Sequence, residues 1–258
     1  MTTPTTRFSD RARAYARARP GYPAAVYETI GARVHPARPR VAADVGGGTG
    51  IFSEGLLDRG WAVTAVEPND AMRALAETRL GWRTGYRSVA GRAETTGLPD
   101  RSVSLVAAAQ AFHWFDAAAC AVEWRRLLAP DGLVALVWNE RDIDASPFMA
   151  DYEALLRRHG RDYDAVAHRR WDVEVIRDFF GPAGARAVVF PSQQRLDLDL
   201  LRDRLLSASY CPNLGEEGCE AALDDLAALF EAHAEGGHVT LTYATRLFLG
   251  ILESSTGG

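Results

Sequence analysis

Short apolar runs recur along the chain, and stretches with helical spacing separate them. Nearly continuous apolar runs are typical of strands covered on both faces, and they lie at 41–45, 61–66, 103–109 and 133–138. Between or after these runs, polar residues recur at helical spacing and predict amphipathic helices, as at 117–128 and 147–159. A chain in which strands alternate with helices is predicted to form an α/β fold with a parallel sheet.

Weaker patterns predict the remaining elements. Further helices are predicted at 9–18, 24–34, 173–180, 197–209 and 216–235, and another begins near Asp70. Further strands are predicted at 89–94, 185–190 and 239–249. Residues 81–87 are predicted as a loop, and Ala129-Pro130-Asp131-Gly132 as the turn that ends a helix.

The stretch from Val41 to Gly50 joins the first predicted strand to a helix through a glycine-rich turn. Its sequence is Val-Ala-Ala-Asp-Val-Gly-Gly-Gly-Thr-Gly, and residues 51–57 after it have helical spacing. Glycines are needed where φ is positive and where a ligand must approach the main chain without meeting a Cβ atom. The next strand ends at Glu67, whose carboxylate can accept both hydroxyls of a ribose. Together these features predict a nucleotide-like ligand at the strand ends.

The glycine spacing bears on which ligand this turn would hold. A dinucleotide fingerprint has the spacing G-x-G-x-x-G and directs a helix N-terminus at a pyrophosphate. Here Gly46, Gly48 and Gly50 give G-x-G-x-G, and the bulky Ile51 follows. Asp44, just before the turn, would repel a phosphate but can bind an amino group through charge-assisted hydrogen bonds. The residues therefore favour a ligand without a pyrophosphate and disfavour a dehydrogenase.

The segment from Asp44 to Gly50 resembles the first motif of class I S-adenosylmethionine (SAM)-dependent methyltransferases. The resemblance implies an α/β, Rossmann-like, doubly wound sheet of seven strands whose last strand is antiparallel. It also implies an N-terminal helical lid and helical cap insertions. We expect a single methyltransferase domain over 1–258, with the lid over 1–36, the SAM-binding half over 37–142, and the cap helices and closing strands over 143–258.

The same resemblance assigns residues to SAM, with S-adenosylhomocysteine as its product. Asp44 and the glycine turn would hold the methionine part, Glu67 the ribose, and the backbone of Ala93 together with Glu94 the adenine. Met72 could pack under the adenine, although a core methionine is the alternative, and Glu94 could instead be solvated. The predicted cofactor-binding residues are Asp44, Gly46, Gly47, Gly48, Gly50, Glu67, Pro68, Met72, Ala93, Glu94 and Gln110.

The segment from Gln110 to Asp116 follows the fourth strand and carries a histidine between aromatic residues. It looks like the corresponding segment of trans-aconitate-methyltransferase-like proteins. Because imidazole titrates near neutral pH, His113 could act as a base or orient a carboxylate. Alternatively it hydrogen-bonds a backbone group. In the same resemblance, Tyr15 and Arg19 belong to an N-terminal cover that closes over the cofactor.

Aromatic and basic side chains complete the predicted acceptor side. The predicted catalytic residues are His113 and Tyr15, and the predicted substrate residues are Arg19, Tyr22, Trp114, Trp138, Arg141 and Tyr210. Trp138 and Arg141 lie at a strand end that should face the acceptor. Arg141 could pair with an acidic acceptor, or with Asp142 or Glu140. For the three tyrosines, packing is the alternative.

Composition and charge narrow the class of protein. The chain has 258 residues, of which 47% are hydrophobic and 24% charged, so it can bury one sizeable core. A formal net charge of -5 and the lack of a basic block disfavour nucleic acid as a partner. Cys120, Cys211 and Cys219 have neither metal nor redox spacing, so we expect no metal and reduced thiols in the cytoplasm. We expect no membrane partner, because the chain has no signal-peptide pattern and no long apolar run.

The expected function is transfer of a methyl group from SAM to a carboxylate or hydroxyl of a small molecule in secondary metabolism. The protein is expected to act as a monomer or homodimer. Two alternatives stay open. In one, the aminocarboxypropyl carbon of SAM is attacked and methylthioadenosine is released. In the other, the chain is a non-catalytic SAM-binding partner subunit.

Overall fold

The computed structural model describes residues 11–161, 163, 173–182 and 184–252. Its strands are β1 (Val41–Val45), β2 (Ala62–Val66), β3 (Tyr86–Val89), β4 (Val103–Ala109), β5 (Leu128–Arg141), β6 (Ala185–Leu196) and β7 (Val239–Gly250). Its helices are α1 (Ala12–Ala18), α2 (Ala24–Arg33), α3 (Ile51–Leu57), α4 (Asp70–Leu80), α5 (Ala117–Leu127), α6 (Pro147–His159), α7 (Val173–Phe180), α8 (Leu198–Leu206) and α9 (Cys219–His233). A short 3-10 helix covers Phe112–Trp114.

The described strands form a seven-stranded sheet in the order β3-β2-β1-β4-β5-β7-β6. Strands β1 to β5 pair in parallel, for example Val45 with Val66 and Ala107 with Ala135. Antiparallel pairing is confined to the last strands, so the predicted mixed Rossmann-like sheet is confirmed. The strand order reverses between β1 and β4, which is where open parallel sheets bind ligands beyond their carboxyl ends.

Alternate residues of the central strands pack on opposite faces of the sheet. Ala42 and Leu105 belong to one buried cluster, whereas Ala43 and Val106 belong to another. Side chains of a strand alternate between its two faces, so both faces are covered. This arrangement accounts for the continuous apolar runs of β1 and β4.

The described residues form two compact units. The first, which we call the sheet unit, comprises 22–138, 173–182, 184–190 and 245–252. The second unit comprises 11–21, 139–161, 163 and 191–244. The second unit has its own core, which includes Phe148, Tyr152, Leu201, Leu226 and Leu241. Each unit is assembled from three separate parts of the chain.

Three strands, β3, β5 and β6, differ from the prediction by more than one residue at a boundary. Strand β3 lies at Tyr86–Val89, not at 89–94, because only Tyr86 of this strand is buried and its pattern gives a weak signal. Strand β5 begins at Leu128, since Leu128 pairs with Val103 whereas Leu133 pairs with Leu105. The predicted Pro-Asp-Gly turn is thus an irregularity within β5, and β6 continues to Leu196.

No helix of the described residues is both long enough and apolar enough to span a bilayer.

Candidate active site

The turn after β1 carries three glycines in left-handed backbone conformations. The φ angles of Gly46, Gly48 and Gly50 are 70°, 55° and 82°. Gly46 is needed for packing, because a Cβ atom there would lie 2.6 Å from the Cβ of Ala111. A Cβ atom on Gly48 would meet only the Gly46 carbonyl oxygen, at 4.0 Å. Gly48 therefore borders open space, as a backbone cradle for a ligand requires.

Asp44 lies at the end of β1 with its carboxylate buried. The Ser53 hydroxyl donates to Oδ2 at 2.6 Å, but Oδ1 has no hydrogen-bond partner among the described residues. Burial raises the pKa of Asp44 to about 6, and the Ser53 hydrogen bond opposes this shift. A buried polar atom without a partner is unfavourable, and an ammonium group would supply the missing donor. The amino group of SAM fits this requirement.

Glu67, directly after β2, is held in one orientation by two backbone N–H groups. Gly48 N donates to Oε2 at 2.9 Å and Asn69 N donates to Oε1 at 2.8 Å. Burial raises the pKa of Glu67, whereas these two hydrogen bonds and the charge of Arg73 lower it. Each carboxylate oxygen can accept a second hydrogen bond, so both remain able to bind a ribose hydroxyl.

The predicted adenine residues are tied to neighbouring elements of the sheet unit. The Ala93 carbonyl accepts a hydrogen bond from Trp124 Nε1 at 3.0 Å. Glu94 Oε1 accepts one from the backbone N–H of Asp116 at 3.0 Å, which places Glu94 beside the segment that carries His113. The Met72 side chain is buried, as in the core alternative, and the backbone N–H of Gln110 donates to the Val137 carbonyl at 2.8 Å.

His113 lies in the 3-10 helix after β4. Trp138 Nε1 donates to His113 Nδ1 at 3.4 Å, and the His113 and Trp114 rings are 4.9 Å apart. When Nδ1 accepts a hydrogen bond, the neutral imidazole carries its proton on Nε2. The Trp138 contact therefore favours an imidazole that donates through Nε2.

Trp138 and Arg141, two of the predicted acceptor residues, make contacts within the protein. Trp138 has no exposed surface and packs against Phe112 and Phe248, because β5 is covered on both faces of the sheet. Arg141 pairs with Glu153 at 3.0 Å and with neither Asp142 nor Glu140. Glu153 lies on α6 of the second unit, and its position could not be inferred from residues adjacent to Arg141 in the sequence.

The other predicted acceptor residues lie in two places. In the second unit, the Arg19 guanidinium lies over the Tyr15 ring at 4.6 Å, and the Tyr210 ring meets Tyr163 edge-on at 4.9 Å. In the sheet unit, Tyr22 packs edge-on against Phe52 at 5.2 Å.

The buried charged residues that the prediction missed include Glu123 and Arg204. Glu123 of α5 is buried and accepts hydrogen bonds from Thr96 and Arg126. Arg204 is buried in α8, where it contacts the Tyr243 hydroxyl. Both residues occupy ordinary polar positions of an amphipathic helix, so neither is marked by local sequence pattern.

The chain is similar to methyltransferases over most of its length. Residues 43–136 match the methyltransferase domain family. An uncharacterised methyltransferase of Mycobacterium tuberculosis is 31% identical over 241 residues, which are 92% of each chain. An uncharacterised methyltransferase-like protein of Schizosaccharomyces pombe is 29% identical over 242 residues, 91% of each chain. A solved structure of a candidate type II methyltransferase from Anaeromyxobacter dehalogenans matches with a TM-score of 0.66 and 26% identity, covering 91% of this chain and 98% of that one.

The sheet order and the turn from Asp44 to Gly50 define a Rossmann-like protein of the methyltransferase type. With the similarity of the whole chain, they show that it belongs to the class I SAM-dependent methyltransferases. The predicted family, fold and enzyme class are thus confirmed.

Proposed function

We propose that this methyltransferase transfers a methyl group to a carboxylate or hydroxyl oxygen of a small molecule, in secondary metabolism as the family resemblance implies. The observation that supports the cofactor site is the buried Oδ1 of Asp44, which has no hydrogen-bond partner among the described residues and precedes a turn that borders open space at Gly48. A net charge of -5 disfavours nucleic acid as the acceptor.

Bound SAM would supply an electrophilic methyl group on its sulfonium. Asp44 would accept hydrogen bonds from the amino group of its methionine part, and Glu67 from its ribose hydroxyls. Gly48 would let the ligand approach the main chain, and Ala93 and Glu94 would lie beside the adenine. These residues would bind and orient SAM, since holding the reactants in a reactive geometry supplies much of the rate enhancement in group transfer.

His113 would orient the acceptor rather than deprotonate it. Its Nδ1 accepts from Trp138, so the neutral ring would present an N–H group at Nε2. A carboxylate acceptor is already a nucleophile, and a hydrogen bond from His113 would fix its position. The Trp114 ring, which is tilted against the His113 ring, would provide an aromatic contact for the acceptor.

Mass spectrometry of the products tests the proposed reaction. The protein is incubated with SAM, alone and with a panel of small carboxylates and phenols. We expect S-adenosylhomocysteine together with an acceptor that has gained one methyl group. Methylthioadenosine formed without an acceptor would replace this reaction with attack on the aminocarboxypropyl carbon. Tight SAM binding without either product would indicate a non-catalytic subunit.

Replacement of Glu67 tests the ribose assignment. Glu67→Gln should weaken S-adenosylhomocysteine binding about 10- to 100-fold, the usual effect of losing hydrogen bonds to a charged group. Isothermal titration calorimetry measures this, with Glu77→Gln as the control because Glu77 is an exposed carboxylate on α4. If both variants bind alike, Glu67 does not hold the ribose.

A further inference from the structure

Two arginines of the second unit meet through one serine at the end of α8. Arg19 donates to Ser207 twice, from Nε to Oγ at 3.1 Å and from Nη2 to the carbonyl oxygen at 2.8 Å. The Ser207 hydroxyl in turn donates to the Arg204 carbonyl at 2.8 Å. Arg19 and Arg204 are therefore linked to the same short segment.

A second chain of hydrogen bonds closes this arrangement into a ring. Arg204 Nε donates to the Tyr243 hydroxyl at 3.4 Å, and that hydroxyl donates to Gln194 Oε1 at 3.4 Å. Gln194 Nε2 donates to the carbonyl of Ala18, the residue before Arg19, at 3.0 Å. We call the two arginines with Ser207, Tyr243 and Gln194 the arginine ring.

The two arginines of the arginine ring differ from neighbouring arginines in their described partners. Neighbouring arginines of the second unit have acidic partners, as Arg141 has Glu153 and Arg17 has Asp203. Among the described residues, neither Arg19 nor Arg204 forms an ion pair with a carboxylate. Arg204 is only 4% exposed, so solvent screens its charge poorly.

The positive charge of Arg204 also acts on Arg19. Burial lowers the pKa of Arg19, and the positive charge of Arg204 lowers it further. The carbonyl oxygens at the end of α8 offset part of the positive charge, because Arg19 and Arg11 both donate hydrogen bonds to them. These carbonyls do not offset the charge of Arg204, because its guanidinium Nη atoms have no hydrogen-bond acceptor among the described residues.

We propose that Arg204, together with Arg19, forms a subsite in the second unit for an oxyanion, either a carboxylate or a phosphate group. The guanidinium group binds such oxyanions with paired N–H donors, and this pairing would neutralise both charges. The ring would hold the two side chains in place before the ligand binds. This anion site does not rest on the proposed function.

Anion binding by the whole protein tests this subsite. Inorganic phosphate and succinate are titrated separately by calorimetry, against chloride at matched ionic strength. We expect the wild type to bind at least one of them, and the preferred anion identifies the oxyanion as phosphate or carboxylate. Arg204→Gln should bind that anion about 10- to 100-fold more weakly, whereas Arg202→Gln, an exposed arginine of the same helix, should bind as the wild type does. No anion-specific binding by the wild type, or equal binding by Arg204→Gln, would overturn the proposal.

Two further measurements keep the outcome interpretable. If Arg204→Gln does not fold, Arg204→Lys takes its place, because it keeps the charge and loses the paired donors. Unchanged anion affinity in Arg204→Lys would then overturn the role of the guanidinium. S-adenosylhomocysteine binding is measured on every variant. If the wild type binds anions but not S-adenosylhomocysteine, only the proposed function is contradicted. If it binds S-adenosylhomocysteine but neither anion, only the subsite is contradicted.

Discussion

At the scale of single residues, two glycines of one turn have different tasks. Both have positive φ, so replacement by alanine costs each about 1–2 kcal/mol of stability. Gly46→Ala also forces its Cβ against Ala111 and Phe115, which should cost about 1–3 kcal/mol more. Gly48→Ala meets no such obstacle, but its Cβ enters the space assigned to the ligand. We therefore expect Gly46→Ala to be the less stable variant and Gly48→Ala to fold yet bind S-adenosylhomocysteine weakly.

Urea unfolding and titration calorimetry on the two glycine variants separate these effects, since each variant serves as the control for the other. Normal binding of S-adenosylhomocysteine by Gly48→Ala would mean that the cofactor does not approach the main chain there.

Asp44 should make cofactor binding depend on pH. Its pKa is raised to about 6, and only the ionised carboxylate binds an ammonium group strongly. Affinity for S-adenosylhomocysteine should therefore fall as the pH drops below about 6, approaching tenfold per pH unit. Asp44→Asn should bind weakly with no such pH dependence. Calorimetry between about pH 5 and 8 measures both, and an identical slope in wild type and variant would remove Asp44 from the binding site.

The same residue should affect the ligand-free protein in the opposite direction. Because its folded-state pKa lies above the ordinary value of 3.8, protonation favours the folded state. Its contribution to stability is full below about pH 4 and is lost as the pH rises through about 6. Urea unfolding across this range should show the loss in the wild type but not in Asp44→Asn.

At the scale of elements, α5 holds the segment that carries the predicted adenine residues. Glu123 accepts hydrogen bonds from the backbone N–H and hydroxyl of Thr96, just beyond Ala93 and Glu94. The Arg126 hydrogen bonds, then those of Thr96, lower the pKa of Glu123 to about 2. Its stabilising effect is therefore present above about pH 4.5 and is lost as the pH falls through about 2.

Glu123→Ala should destabilise the protein by about 1–3 kcal/mol, because it leaves the buried N–H of Thr96 without an acceptor. Urea unfolding at neutral pH measures the change. Val122→Ala is the matched control, since the Val122 side chain on the same helix is 70% exposed. Equal stability of the two variants would show that the Thr96 contact is dispensable.

At the scale of the whole molecule, the two units should respond to different ligands. A ligand that binds only the folded state slows hydrogen exchange in the segments that hold it. S-adenosylhomocysteine should protect residues 44–50 and 67–72 in the sheet unit. The anion preferred by the arginine ring should protect residues 198–210 in the second unit. Hydrogen-exchange mass spectrometry checks both, and protection of 198–210 by neither phosphate nor succinate would contradict the anion subsite.

The predicted elements were most accurate where one short signal sufficed. Strand β4 and helices α6 and α7 begin and end at the predicted residues, because apolar runs or helical spacing there are bounded by turn residues. Strand β3 was misplaced because it lies at the edge of the sheet, pairs only with β2, and has a single buried residue, Tyr86. The start of β5 depends on a register shift against β4, and the sequence of β5 alone does not predict this shift.

Local pattern was enough for strands β1 and β4, the glycine turn, and the acidic residues at the ends of β1 and β2, whereas the seven-stranded sheet was expected from the family resemblance. A buried parallel strand, a turn that needs positive φ, and a carboxylate beside it are all properties of neighbouring residues. Only the folded chain established the contacts of Arg141 with Glu153, of Glu123 with Thr96 and of Arg204 with Tyr243, since each joins residues of different elements. Whether a charged side chain of a helix faces solvent or a buried partner depends on what packs against that helix. The periodicity of the helix sequence does not predict that packing.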